Sequence, residues 1–237
     1  MATNTLPMTG PATARRTTVF LKLVMAGSGL IFVLYVLLHM YGNLKIFSGA
    51  EAFDKYAHAL RSLLTPILPF GGVLWLLRAL LILAVIAHVW AAAQLWRRAN
   101  AARSTRYFAK EAARAALTSK TMRWGGVALV LFLIWHLLQF TIVKFNVGSA
   151  QVGDSPGALV ISSFQVWWVV LIYVLAMIAL AMHLWHGVYS ASQTLGLSTT
   201  AEARGRARAT ATVIALVTSV GFILPPLAIL FGIIKGN

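Results

Sequence analysis

The sequence predicts an all-α membrane protein in which five transmembrane helices form a bundle. Three observations carry that reading. Of 237 residues, 59% are hydrophobic and only 11% charged, more apolar surface than a soluble domain can hide. Five apolar runs reach the length of about 20 residues that a helix needs to cross a bilayer. Lysine and arginine crowd into some loops and are sparse in others, as topology-setting charges do.

The first sixteen residues form a polar tail ending in Arg15 and Arg16, with no cleavable signal peptide; residues 17–237 read as one domain. The spans are expected at roughly 19–41, 70–95, 124–145, 165–188 and 211–234. Each is too long and too evenly apolar for a strand. The connection 42–69 contains "EAFDKYAHALRSLL", which suits a short amphipathic helix on the outer surface.

Fourteen basic residues fall at the N-terminus, between the second and third spans, and between the fourth and fifth. Five lie on the other side (Lys45, Lys55, Arg61, Lys144 and Lys235), and Arg78 is inside the second span. The positive-inside rule then places the N-terminus in the cytoplasm and the C-terminus outside. The net charge of +15 is thus a topology signal and does not indicate nucleic acid. The chain has no cysteine, which excludes a thiolate-held iron–sulfur cluster, a thioether-linked haem and a disulfide within it.

Imidazole is out of place in a membrane interior, yet each of the first four spans carries one: His39, His88, His136 and His183. The first and third spans run outward, the second and fourth inward. At 1.5 Å per residue, His39 and His136 fall near the outer face and His88 and His183 near the inner face, roughly 15–20 Å apart. Two stacked haems b need such an arrangement, each iron held by two axial imidazoles. The second ring N–H of each ligand is expected on a helix carbonyl. Small residues near the ligands (Gly27, Gly29, Ala84, Ala87, Gly125, Gly126, Ala176) would admit a flat macrocycle, and equally serve ordinary helix packing. Histidines of a proton path or transporter site are the other reading. A single four-ligand zinc site does not suit pairs so far apart. Arg78 lies at the depth of the outer pair, and all five acidic residues are in loops. A haem propionate would be its partner, unless it snorkels to the outer surface.

The stretches "HMYGNLKIF", "GAEAFDKYAHALR", "RALLILAVIAHV", "RWGGVALVLFLIWHLLQF" and "HLWHGVYSASQTLGL" together resemble the di-haem cytochrome b anchor of succinate:quinone oxidoreductases (succinate dehydrogenase and fumarate reductase). The resemblance runs from about residue 16 to 234. It implies a multi-pass protein of the bacterial cytoplasmic membrane that anchors a succinate dehydrogenase and is itself only the quinone-reducing part of the enzyme. It implies a flavoprotein with FAD and an iron–sulfur subunit docked on the cytoplasmic face. His88 and His183 would hold the proximal haem and His39 and His136 the distal one, passing electrons to menaquinone. Arg78 and His186 are expected near propionates. Glu51, His58 and Gln139 on the outer side, and Ser28 and Arg16 on the inner, are the candidate quinone residues. Three alternatives stay open: a fumarate reductase with the same anchor, a haem b anchor of another quinone-linked oxidoreductase, and a haem-free proton-coupled transporter.

Overall fold

The computed structural model describes residues 17–101, 110–148 and 153–235. Seven α-helices follow in order: α1 (Thr18–Leu44), α2 (Ala50–Arg61), α3 (Gly72–Ala101), α4 (Lys110–Leu137), α5 (Pro156–Phe164), α6 (Trp167–Thr194) and α7 (Ala201–Leu230). A 3₁₀ turn, Lys45–Ser48, follows α1, and a π turn, Leu138–Ile142, follows α4. Among the described residues there is no strand. Among the described residues, five segments are long and apolar enough to cross a membrane: Thr18–Ser48, Gly72–Ala101, Thr121–Ile142, Trp167–Thr194 and Ala201–Leu230.

Side chains that satisfy free backbone N–H groups set the helix starts. Thr17 accepts from Phe20 N at 3.2 Å, Ser155 from Ala158 N at 3.0 Å and Thr200 from Ala203 N at 3.1 Å. α6 ends where Gly196 turns to φ +75° and Leu197 N reaches back to Ser192 O at 2.8 Å, a conformation that glycine adopts without strain.

Three helices extend well beyond their apolar runs, α4 among them, which begins at Lys110. α3 continues through Arg97 and Arg98, and α7 begins at Ala201, ten residues before its expected start, with its arginines in helix. Charged ends do not interrupt a helix, so apolar limits understate helix length. The amphipathic helix expected after the first span is α2. α5 was not expected as a separate element. Its residues Leu159–Phe164 are all buried, and its apolar sequence merges with the fourth run.

α6 packs along α7, α1 and α4, and α1 packs against α3 and α7. In the apolar windows of α3 and α4 only 6% of residues are buried, against 44% in α7. α3 and α4 are therefore side walls, and α1, α6 and α7 form the centre. At one end α3, α4 and α7 carry Arg98, Arg123, Arg204 and Arg206; this is the basic end. At the far end α2 and α5 close over the bundle. There Asp54 accepts from Ser155 Oγ at 2.5 Å and from Gly157 N at 2.7 Å, tying α2 to the first turn of α5.

Candidate functional site

A cavity of about 3100 Å³ runs through the bundle and is lined by His39, His88, His136 and His183. Arg61 and Arg78 line its far half, and Lys22 and Arg206 its basic end.

Four helices repeat one register. In α1, Gly29 and His39 are ten residues apart; so are Arg78 and His88 in α3, Gly126 and His136 in α4, and Tyr173 and His183 in α6. Ten residues of helix rise about 15 Å. Each helix thus contributes a histidine at one level and a different residue at the other. At the level near the basic end, His88 and His183 face one another with ring centroids 6.0 Å apart. At the far level, His39 and His136 face one another at 5.8 Å. The sequence expectation paired these same residues.

The glycines of that register face the basic-end pair. A β-carbon on Gly29 would lie 3.5 Å from His88 Cε1, and one on Gly126 would lie 3.9 Å from His183 Cε1. Aromatic rings support the far pair. His39 stacks on Tyr35 at 5.3 Å, and Phe132 and Phe140 lie within 6 Å of the His136 ring.

The helix carbonyl expected for the second ring nitrogen is found at His88, which meets the Met25 backbone, and hydroxyls join in. His88 Nδ1 meets Ser28 Oγ at 3.1 Å, and His136 Nδ1 meets Tyr173 Oη at 3.1 Å. Tyr173 in turn donates to Gln139 Oε1 at 3.1 Å. His183 Nδ1 is buried without a hydrogen-bond partner. Tertiary neighbours supplied hydroxyls that a search along each helix's own backbone does not see.

Two imidazoles bound through nitrogen at about 2 Å on opposite sides of one metal atom place their centroids about 6 Å apart. Both pairs have that spacing, and each offers two neutral nitrogen donors. Among the described residues no three His, Asp or Glu side chains converge on one point. The donor sets therefore match two separate two-ligand centres.

The other expected site residues divide. Arg78 lines the cavity at the far level, its guanidinium 4.8 Å from the Trp75 ring centroid and paired with no carboxylate among the described residues. His186 also lines it, one turn from His183. Ser28 and Gln139 are buried, at 6% and 0% exposure, and are engaged with the histidine network. Gln139 sits in the π turn and shares Tyr173 Oη with His136, on the face that its spacing predicts, without lining the cavity. Glu51 and His58 lie on the exposed side of α2 and do not line the cavity. Arg16 lies outside the described residues. The opposite face of α2 supplies two polar cavity residues that sequence reasoning missed, Tyr56 and Arg61. Their signal was the spacing Phe53, Tyr56, Ala57, Leu60, the apolar stripe of an amphipathic helix.

A model of the succinate dehydrogenase/fumarate reductase transmembrane subunit matches residues 94–224, more than half of the chain. No curated protein and no solved structure matches. The matched segment contains His136 and His183 and begins after His39 and His88. With its five membrane-crossing helices, this multi-pass membrane protein belongs to the family of succinate dehydrogenase/fumarate reductase transmembrane subunits.

Proposed function

We propose that the chain is the di-haem cytochrome b anchor of a succinate:menaquinone oxidoreductase. One haem b would be held by His88 and His183, the other by His39 and His136. The observation that carries this reading is the twofold pairing: two facing imidazole pairs with centroids 6.0 and 5.8 Å apart, one helical register of ten residues between them. The surroundings fit the group as well. Gly29 and Gly126 leave space beside the basic-end ligands, the buried His183 Nδ1 has no protein partner, and Arg78 offers a cation for a propionate. His186 is placed to do the same near the basic end.

When bound, the two haems supply a one-electron relay between an iron–sulfur partner and quinone. The chain's own residues hold, orient and insulate. Two facing histidines would hold each haem and would leave no position on it for oxygen. The walls are mainly Leu, Val, Ile and Ala, which keep bulk water from the centre. At the far end, Tyr56 and Arg61 bring hydrogen-bond donors to a mainly apolar space, and there the quinone headgroup would be bound.

With no cysteine and no dinucleotide fingerprint in the chain, clusters and FAD belong to partner subunits. The excess of Lys and Arg at the basic end supports a cytoplasmic N-terminus and partner docking on that face. Run in reverse, the same assembly is a fumarate reductase.

The test is affinity purification of the tagged chain from a bacterial membrane in mild detergent. Co-purifying flavoprotein and iron–sulfur subunits, with succinate-dependent reduction of a menaquinone analogue, support the reading. A molybdenum-containing partner, or a colourless chain with no partner, overturns it.

A further inference from the structure

One ring of each facing pair rests its Nδ1 against a protein hydroxyl. A neutral imidazole has one N–H and one lone pair, so the use each hydroxyl makes of its single hydrogen decides which ring nitrogen is free. Ser28 Oγ lies 2.7 Å from Val24 O and 3.3 Å from Met25 O. Both are carbonyls and can only accept, so the serine hydrogen is committed to one of them. Toward His88 Nδ1, at 3.1 Å, Ser28 is then an acceptor, and the Met25 backbone carbonyl accepts from the same ring. His88 carries its hydrogen on Nδ1 and its lone pair on Nε2.

The far pair repeats the logic with different residues. Tyr173 donates to Gln139 Oε1 at 3.1 Å, so its oxygen accepts from His136 Nδ1. Gln139 is fully buried and its Nε2 has no partner. The amide oxygen is therefore the half in use. A serine on α1 and a tyrosine on α6 thus impose the same tautomer at two levels.

We infer that Ser28 and Tyr173 are positioning residues that reserve Nε2 of His88 and of His136 for the metal and set the donor strength of each ring. The inference rests on the two-haem reading above. An N–H donated to oxygen makes an imidazole a stronger electron donor, which favours oxidised iron. Removing the acceptor therefore raises the midpoint potential of that centre alone.

The experiment is an optical redox titration of the purified complex, wild type and variants, with the haem count taken first. Tyr173→Phe keeps the ring that packs 4.9 Å from both Phe132 and Phe164 and removes only the hydroxyl. It is expected to raise one midpoint by about 59 mV, a tenfold change for one electron. Ser28→Ala is expected to raise the other midpoint by less, because the Met25 carbonyl remains as an acceptor, and Ser28→Thr, which retains a hydroxyl, to restore it. Should Tyr173→Phe fail to assemble, Gln139→Leu takes its place and raises the same midpoint by less. Two haems per chain with unmoved midpoints, or each variant moving both equally, overturns the positioning role and leaves the two-haem reading standing. A wild-type complex with fewer than two haems b overturns both.

Discussion

Gly29 of α1 and His88 of α3 approach so closely that a β-carbon on the glycine would lie 3.5 Å from the imidazole Cε1. That is ordinary contact, so the site has room for a methyl group and for little more. Gly29→Ala should leave haem content unchanged. Gly29→Leu should push the ring aside and remove one haem of the two, read from the reduced-minus-oxidised spectrum. A full complement in the leucine variant would mean that His88 is not held where the structure places it.

Two other glycines rank each other. A β-carbon on Gly157 would meet the backbone of Ala50, its carbonyl oxygen at 2.9 Å and its Cα at 3.0 Å. One on Gly221 would collide with Met40 Sδ, part of a flexible side chain. Overpacking a core costs about 1–3 kcal/mol. Gly157→Ala should fall at the upper end and Gly221→Ala at the lower, compared by thermal melting in one detergent. The reverse order would contradict the α2–α5 contact.

Asp54 holds the far-end cover together. Its carboxylate takes two hydrogen bonds from the start of α5, where a helix favours negative charge. Asp54→Ala should destabilise the protein by about 1.5–3 kcal/mol, the range for hydrogen bonds to charged groups, and speed proteolysis in the α2–α5 region. An unaltered proteolysis rate would show that α5 is held by packing alone.

Glu51 behaves differently although it is close in sequence. Its hydrogen bond and charge pairing with Lys55, at 2.7 Å, hold its carboxyl below the usual range. A depressed folded pKa gives stability that is complete above the ordinary value of about 4.3 and lost as pH falls through the folded one. With the side chains 76% and 83% exposed, water screens the pair. Glu51→Gln should melt with wild type from about pH 5 to 8. With His58→Ala, it should also leave quinone reduction unchanged, whereas Tyr56→Phe and Arg61→Ala should raise the quinone KM. A loss of turnover in Glu51→Gln would move the quinone site to the outward face of α2.

The spans and the pairing of histidines by depth were legible because both follow from one dimension, the rise of a helix against bilayer thickness. What stayed hidden depends on the other two dimensions. Ser28 lies 60 residues from His88, and Tyr173 lies 37 from His136; no periodicity within one helix joins them. α-Helical spacing placed Gln139 on the His136 face, where the structure has it; that Tyr173 of another helix joins the two was not visible. α5 was lost because a buried helix and the start of a span share the same apolar composition. Glu51 and His58 drew attention as chemistry-bearing types, while the cavity face of α2 was carried by its apolar neighbours.

The central claim is that four histidines make two centres, paired across helices. The most direct measurement is a haemochrome count with a dithionite-reduced minus oxidised spectrum on the purified complex and on His39→Ala and His88→Ala. The account predicts two haems b per chain in the wild type, one in each variant, and a different one lost in each. No haem, or the same haem lost from both variants, would contradict it.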